Sequence, residues 1–338
     1  MQQIDTLEHS QLVDTFGRKI TYLRISITDR CNFRCAYCMP PDGVELKAHN
    51  TIMRYEEILE VVREAVKLGV RSVRITGGEP LVRPDVPLLI GMLSGIEGLD
   101  DISLTTNGFL LEKYAAALAD SGLNRINVSL DTLNPQKFRK ITRVGDPDRV
   151  LRGIDAAEAA GLKPIKINAV VIRGFNDNEL VDLAQLSISH PWHIRFIELM
   201  PVNNQESWGA DFVDPLEAFV SVQEMRDILK PLKLVPEKSG VGRGPARTYR
   251  IPDAKGLVGF ISPLGEHFCA SCNRLRLTAD GRLRPCLLSD VEIPLLEALR
   301  SGQDVLPYLQ LATSCKPHGH ELDENHLPKE RTMKEIGG

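Results

Sequence analysis

The sequence is poor in long apolar runs, in cysteine and in excess charge of either sign, and each shortage excludes a class of protein. No apolar stretch approaches the roughly 20 residues that a bilayer-spanning helix needs. Residues 1–16 include several acidic residues and lack the basic segment followed by an apolar segment that a secretion signal has. We therefore expect a cytoplasmic protein that is not bound to a membrane. Seven cysteines in 338 residues are too few, and odd in number, for a disulfide framework. A net charge of −4 excludes a generally cationic nucleic-acid coat.

The remaining composition is that of a globular protein, with 43% hydrophobic and 25% charged residues. The length predicts about two domains. Proline and glycine become frequent at Gly240–Pro245, and short strand-like runs follow at Leu257–Ile261 and Arg274–Thr278. We therefore predict a first domain over residues 1–230 and a smaller C-terminal region over residues 231–338.

Strand-like and helical patterns alternate through the first domain. The strand-like runs begin near Tyr22, Ser72, Asp101, Arg125, Ile165 and His193. The helical patterns cover Arg54–Leu68, Pro84–Ile96, Glu112–Ser121, Val150–Ala160 and Asn178–Ser187. This alternation predicts an α/β fold with a parallel sheet, and six units are fewer than the eight of a closed barrel.

The predicted strands are polar on one face. In the first strand, for example, Leu23 and Ile25 alternate with Arg24 and Ser26. One interpretation is an ordinary sheet with one wet face. The other is an incomplete (βα)6 TIM-type barrel, in which helices cover the apolar face and a polar lumen stays open for a large polar ligand. We expect the incomplete barrel, because a closed one would have a polar interior.

Six of the seven cysteines form two compact sets. Cys31, Cys35 and Cys38 form C-x3-C-x2-C directly after the first strand. Three thiolates can bind three irons of a four-iron cluster and leave the fourth iron open to a substrate or cofactor. Structural zinc is an alternative, but it needs four ligands, and His49 is eleven residues away. A purely structural group of thiols is the other alternative.

The second set, Cys269, Cys272 and Cys286, forms C-x2-C-x13-C and also lacks an obvious fourth ligand. It indicates either a second open cluster or a zinc site. The candidates for a fourth zinc ligand lie downstream at Cys315, His318 and His320. Arg274 and Arg276 point the same way at strand spacing, and two guanidinium groups suit a polyphosphate. A solvated basic face would also explain these arginines, because Gly240–Asp290 holds eight basic residues against four acidic ones.

The first set resembles the hallmark of radical S-adenosylmethionine (SAM) enzymes, C-x3-C-x-aromatic-C, with Tyr37 in the aromatic position. The run S-V-R-I-T-G-G-E-P, which is otherwise typical of a turn, resembles the G-G-E-P motif of the same enzymes. The resemblance implies that SAM chelates the open iron and that Tyr37 contacts its adenine. Gly78 would contact the methionyl amino group, and Ser129 and Met200 would be further cofactor-binding positions.

Over nearly the whole chain the sequence resembles the GTP 3′,8-cyclase family of molybdenum cofactor biosynthesis. The resemblance rests on both cysteine sets and on L-T-T-N-G, N-V-S-L-D-T-L, R-F-I-E-L-M-P, G-P-A-R and the terminal G-G. It implies two [4Fe-4S] clusters, SAM as a cofactor and GTP as the substrate. The implied substrate contacts are Arg24, Arg74, Thr105, Lys166, Arg274, the Leu275 backbone and Arg276.

The resemblance also implies a mechanism and partners. A radical from SAM removes hydrogen from C3′ of GTP, C3′ attacks C8 of guanine, and the second cluster holds the guanine edge. Gly337 and Gly338 would reach the active site, although such a pair is otherwise typical of a frayed end. The expected partners are a second copy in a homodimer, a reducing electron donor and the cyclic pyranopterin monophosphate synthase that takes the product.

Two other functions stay open on the residues alone. One is a radical SAM peptide maturase with an auxiliary cluster, although such enzymes usually carry more C-terminal cysteines. The other is a zinc-dependent regulator that binds nucleic acid through the basic C-terminal region. That reading leaves G-G-E-P and the polar strand faces unexplained, so we expect no nucleic-acid partner.

Overall fold

A computed structural model describes residues 11–200, 208, 212, 214–238, 240, 244–320 and 331–337. The strands of these residues are β1 (Tyr22–Ser26), β2 (Ser72–Thr76), β3 (Asp101–Thr106), β4 (Arg125–Ser129), β5 (Ile165–Val171), β6 (His193–Glu198), β7 (Val235–Pro236), β8 (Arg247–Arg250), β9 (Leu257–Ile261), β10 (Arg274–Leu277), β11 (Arg282–Arg284) and β12 (Ile293–Pro294). The helices are α1 (Tyr55–Lys67), α2 (Val86–Ser94), α3 (Leu111–Asp120), α4 (Pro135–Thr142), α5 (Pro147–Ala159), α6 (Leu180–Ser189), α7 (Val222–Ile228), α8 (Leu296–Arg300) and α9 (Leu306–Ser314).

These strands form one open sheet in the order β12-β11-β10-β1-β2-β3-β4-β5-β6-β9-β8-β7. Strands β1 to β6 pair in parallel, as the alternating pattern predicts. The C-terminal strands β10 and β9 extend this parallel sheet at its two edges, next to β1 and β6. Antiparallel strands complete each side. The predicted incomplete barrel is confirmed, whereas the domain boundary after residue 230 stays a prediction.

The apolar faces of the strands pack against the helices. Ile25 and Ile75, for example, lie in one buried core with Ile58 and Val62 of α1. At the start of helix α1, the Glu57 carboxylate accepts a hydrogen bond from the backbone amide of Arg54 at 2.7 Å. It ends before Gly69, whose φ of +99° suits a residue without a side chain. In the described part of the chain, every helix is too short or too polar to span a lipid bilayer.

Helices α4, α7, α8 and α9 were not predicted from the sequence. They are short, so a periodic pattern has few residues in which to show itself. Local capping explains the first of them, because the side chain of Asn134 accepts hydrogen bonds from the backbone amides of Gln136 and Lys137.

Candidate functional site

One cavity brings the two cysteine sets together. It opens over the polar faces and carboxyl ends of the parallel strands, where ligands of open α/β folds commonly bind. The cysteines that line it are Cys31, Cys35, Cys38, Cys269, Cys272 and Cys286. All six thiols are free. Residues that are far apart in the sequence therefore face one shared space.

The first set lies in the loop that follows β1. The backbone amide of Cys38 donates to the carbonyl oxygen of Cys35 at 2.9 Å, and the amide of Phe33 donates to the sulfur of Cys31 at 3.4 Å. The backbone amide of Lys334, from the C-terminal tail, donates to the sulfur of Cys38. Backbone hydrogen bonds within the loop and from the C-terminal tail therefore hold this loop in place.

Burial dominates the chemistry of the first set. It raises the pKa of Cys31 to about 11 and that of Cys38 to about 12. The pKa of Cys35 is also raised by burial and by the charges of the other two cysteines and Asp131. Three thiols in these surroundings favour a bound cation that stabilises their ionised form.

Two buried carboxyl groups lie beside the first set. The hydroxyl of Tyr37 donates to Asp131 at 2.8 Å, and burial raises the pKa of Asp131 to about 6. Glu79 accepts bonds from the Thr106 hydroxyl and the Asn107 amide, each at 2.7 Å, yet burial raises its pKa to about 7. This end of the cavity is therefore acidic.

The paired glycines after β2 allow a close backbone approach. The amide of Gly78 donates to the carbonyl oxygen of Thr28 at 2.7 Å. A Cβ atom at Gly78 would lie 2.3 Å from the Arg30 carbonyl oxygen, and one at Gly77 would lie 2.8 Å from that of Thr28. The glycines therefore let this turn press against the loop that leads to Cys31.

The second set is carried by two segments of the C-terminal region. Cys269 opens a 3-10 turn, Cys272 ends it, and Cys286 follows β11. Burial raises the pKa of Cys269. Burial also acts on Cys272, but the Lys316 ammonium, the Arg274 guanidinium and a backbone hydrogen bond outweigh it, so the pKa of Cys272 lies below its usual value.

Arginines form a cationic wall of the same cavity. The arginines that line it are Arg24, Arg74, Arg195, Arg274 and Arg276. Burial, followed by repulsion from neighbouring arginines, lowers the pKa of Arg195 to about 9 and that of Arg276 to about 10. Such crowding is costly unless an anion balances it, so the wall is suited to a polyphosphate.

The other predicted site residues divide into two groups. Those that line the cavity are Tyr37, Gly78, Thr105, Ser129 and Met200. The side chains of Lys166 and Leu275 do not line it. Lys166 is only 2% exposed, and its pKa is lowered to about 6 by burial and by nearby arginines such as Arg195. Leu275 is 1% exposed and belongs to the apolar core, so its backbone alone could contact a substrate.

The C-terminal tail folds back onto the arginine wall. Arg276 donates to the carbonyl oxygens of Ile336 at 3.2 Å and of Gly337 at 2.9 Å. Gly337 has a φ of +67°, and a Cβ atom there would lie 2.7 Å from the side chain of Thr76 in β2. Gly338 lies outside the described residues.

The downstream candidates for a zinc ligand are separated. Cys315 and His318 are exposed, and His318 packs edge-on against Phe16. His320 lines the cavity, and its backbone amide donates to the sulfur of Cys269. Of the three candidates, only His320 therefore lies in the cavity with the second set, and its ring nitrogen Nε2 hydrogen-bonds the carbonyl oxygen of Pro263 at 2.6 Å.

Several cavity residues were not predicted as site residues, although Asp131 and Asn168 follow the alternation that predicts the polar strand faces. The full set is Glu79, Asp131, Asn168, Arg195, Lys316 and Lys334. Arg195 could have been found, because it follows the period-2 alternation of β6. Lys316 and Lys334 carry no such signal, since they reach the cavity only through long-range folding.

The donor atoms of both sets fit iron–sulfur clusters. Among the described residues, no three His, Cys, Asp or Glu side chains are gathered tightly enough to hold a single metal ion. A four-iron cluster binds each thiolate through a different iron, so its ligands surround a larger group. Each set offers three free thiols to the cavity, which leaves one iron of such a cluster available to a ligand.

Comparison with protein families agrees with this geometry. The family model of the radical SAM superfamily matches residues 25–187. The model described as Molybdenum Cofactor Synthesis C matches residues 192–322. In the solved structures, Streptococcus suis SuiB bound to S-adenosylmethionine is similar in fold, with a TM-score of 0.61 and 17% identity over 89% of this chain and 73% of that one. Fold and site define a radical SAM protein.

Curated relatives narrow this class. A GTP 3′,8-cyclase of Pelotomaculum thermopropionicum is 48% identical over 330 residues, which cover 96% of this chain and 99% of that protein. The GTP 3′,8-cyclase of Petrotoga mobilis is 46% identical over 330 residues, 97% of this chain and 100% of that protein. The chain belongs to the GTP 3′,8-cyclase family.

Proposed function

We propose that this chain converts GTP to (8S)-3′,8-cyclo-7,8-dihydroguanosine 5′-triphosphate, the first step of molybdenum cofactor biosynthesis. The observation that carries the proposal is the single cavity that is lined by two sets of three free cysteines and by buried arginines. A radical reaction on a polyphosphate needs these parts in one enclosed space.

Cys31, Cys35 and Cys38 hold the first four-iron cluster, which leaves one iron for SAM. When bound, the cluster would pass one electron from an external reductant to SAM, whose C5′–S bond would break to release methionine and a 5′-deoxyadenosyl radical able to take a hydrogen atom from C3′ of GTP. The new bond would join C3′ to C8 of guanine, and a second electron from the external reductant together with one proton from solvent would complete the dihydro product. The protein places the reacting atoms and excludes water.

SAM is held by residues around the first set. Tyr37, Gly78, Ser129 and Met200 line this end of the cavity and contact the cofactor. The hydrogen bond to Asp131 fixes the orientation of the Tyr37 ring. The carboxyl groups of this end suit the amino group and the sulfonium of SAM.

GTP is held by the cationic wall. Arg274 and Arg276 bind the phosphates, with the Leu275 backbone between them, because guanidinium groups form paired bonds to phosphate oxygens. The remaining substrate contacts of the proposal are Arg24, Arg74, Thr105 and Lys166. Lys166 is buried behind the lining and contributes positive charge once a phosphate restores its proton.

Cys269, Cys272 and Cys286 would hold the second cluster, and its open iron would be available to the guanine edge. Two clusters are then needed because one supplies the radical and the other fixes the base. The terminal pair Gly337 and Gly338 reaches the active site, and the bonds from Arg276 to the carbonyl oxygens of Ile336 and Gly337 support this role for Gly337.

The partners follow from the reaction. The chain works in the cytoplasm as a homodimer, receives electrons from a reducing donor and passes its product to cyclic pyranopterin monophosphate synthase. Mixing the anaerobic chain with that synthase and following a pyranopterin product tests the last step. Ultracentrifugation tests the homodimer.

The function is tested with GTP that carries deuterium at C3′. The reconstituted chain is incubated without oxygen with SAM, a reductant and this GTP. We expect one deuterium in each 5′-deoxyadenosine released. The cyclised product should have the mass of unlabelled GTP, because it loses the deuterium and gains one proton from solvent together with an electron. Unlabelled 5′-deoxyadenosine from a reaction that does form product would contradict hydrogen removal at C3′.

Two controls separate the alternatives. A peptide maturase would cleave SAM in the presence of a peptide and leave GTP unchanged. A zinc-dependent regulator would contain zinc, hold no iron or sulfide and bind DNA in a salt-dependent manner.

A further inference from the structure

Lys316 is a buried cation beside the second cysteine set. It is 4% exposed and lines the cavity. Its ammonium donates to the carbonyl oxygens of Arg274 and Pro285, each at 2.8 Å, and hydrogen-bonds the sulfur of Cys272. Both oxygen acceptors are neutral, so the sulfur of Cys272 is the group in this set that the positive charge contacts.

These contacts join two segments that carry cysteines of the second set. Arg274 is two residues after Cys272, at the start of β10. Pro285 directly precedes Cys286, after β11. One ammonium therefore bridges the backbone beside two of the three thiols.

The chain on either side of Lys316 is fixed as well. Its amide donates to the carbonyl oxygen of Thr313 at 3.2 Å, at the end of α9. The guanidinium of Arg18 donates to the carbonyl oxygens of Pro317 at 2.5 Å and Cys269 at 2.7 Å. The segment that presents Lys316 is thus tied to the third cysteine of the set.

We propose that Lys316 is a positioning residue for the second cluster: it ties together the segments that carry Cys272 and Cys286, and it directs a positive charge and a hydrogen bond at the sulfur ligands. The inference rests on the proposed function, because it requires a cluster at this set. Charge and hydrogen bonds at the sulfurs set the reduction potential of a cluster, and groups that orient metal ligands govern how tightly the metal is retained.

The test isolates the second cluster. Replacing Cys31, Cys35 and Cys38 by alanine in the full chain leaves one cluster to measure. In this background we compare Lys316 with K316M for retention of iron against a chelator and for the midpoint potential by anaerobic EPR titration. K316M should retain iron roughly 10- to 100-fold less tightly and shift the potential to more negative values, because a positive charge no longer favours the added electron.

A second variant distinguishes the loss of the positive charge from misfolding of the chain. K316Q keeps an N–H donor for the two carbonyl groups but has no charge, so it should fold and still show the negative shift. The matched control is K334M, because Lys334 is also 4% exposed, lines the same cavity and lies beside Cys38 of the first set. K334M should leave the potential of the second cluster unchanged.

The outcomes separate this inference from the proposed function. An unchanged potential and unchanged iron retention in both Lys316 variants overturn the inference alone, and so does a shift of equal size in K334M. A chain that binds no iron at the second set overturns the proposed function and the inference with it.

Discussion

The two cysteine sets lie in opposite electrostatic surroundings within one cavity. Glu79 and Asp131 lie near the first set, where burial and negative neighbours raise the pKa of every thiol. Arg274 and Lys316 lie near the second set and, against the effect of burial, bring the pKa of Cys272 below its usual value. Identical thiol donors are therefore placed in an acidic end and a cationic end.

This difference matches the charges of the two proposed ligands. SAM carries a sulfonium and an amino group, whereas GTP carries a polyphosphate. A cavity with one charged end for each ligand favours SAM at the acidic end and GTP at the cationic end, and it disfavours the exchange of their places. Under the proposed function, the charges around the cysteines, rather than the cysteines themselves, determine which ligand each set takes.

The strongest test of the difference between the two sets is to replace one cysteine of each set by alanine. C286A should abolish cyclisation and leave SAM cleavage measurable, because Cys286 belongs only to the second set. C35A should abolish both. Anaerobic assays of 5′-deoxyadenosine and of the cyclised product give the two readouts.

Iron content serves as the control for these variants, since each should lose iron only at its own set. Wild-type cyclisation by C286A would defeat the division of tasks. Loss of SAM cleavage in C286A with the first cluster intact would also contradict it.

Arginine variants test the cationic end. R274A and R276A should weaken GTP binding by about 10- to 100-fold, the range expected when a hydrogen bond to a charged group is lost. SAM binding should change much less. Isothermal titration with each ligand measures both effects.

R226A is a suitable control, because Arg226 pairs with Glu266 outside the cavity lining. It should leave both affinities near those of the wild type. Equal losses for GTP and SAM in R274A would count against a role in phosphate binding.

Arg331 links the C-terminal tail to the rest of the protein, and this tail contacts both ends of the cavity. It bonds to Asp280 at 2.9 Å and to Glu292 at 2.8 Å and is largely buried. R331A should destabilise the fold by about 1 to 3 kcal/mol, because two largely buried carboxylates lose a partner, although Asp280 keeps Lys47 and Glu292 keeps Arg284. It should also slow cyclisation several-fold, since the tail carries Gly337 to Arg276.

Arg282 provides the matched control for this variant. It approaches the same two carboxylates at 3.8 and 3.5 Å, but its side chain is 43% exposed. R282A should therefore cost at most about 1 kcal/mol. Thermal unfolding and limited proteolysis of the tail compare the two variants, and equal effects would show that the tail is not held by Arg331.

The smallest expected effect concerns pH. Burial and neighbouring arginines lower the pKa of Lys166 from 10.5 to about 6. Between these two values the unfolded chain binds more protons than the folded chain, so stability contributed by this group rises with pH. K166M should make the rise in Tm between pH 6.5 and 8.5 shallower than in the wild type.

K255M is the control, because Lys255 is exposed. It should keep the wild-type slope. A K166M slope as steep as that of the wild type would mean that Lys166 keeps its proton in the folded chain.

Much of the barrel could be predicted from the sequence, because each strand repeats the same two-residue alternation. All six predicted strand starts agree with β1 to β6, and Arg24, Arg74 and Thr105 line the cavity on the predicted polar face. The addition of β9 and β10 to the two edges of the sheet could not be predicted, since strand order depends on contacts between distant segments.

The site was predicted less completely than the barrel. Short motifs identified both cysteine sets, but no local pattern marks Lys316 or Lys334. Lys166 lies on the predicted polar face, but its side chain is buried and does not line the cavity, so its contact with the substrate stays a prediction. The alternation along a strand predicts which face a side chain takes, whereas the depth to which that side chain is buried depends on the packing of its neighbours.

The central claim is that the two cysteine sets hold one four-iron cluster each. The most direct measurement is the anaerobic iron and sulfide content of the wild-type chain and of two triple alanine variants, one for each set. We predict about eight iron atoms per chain in the wild type and about four in each variant. About four in the wild type, or zinc at either set, would contradict the account.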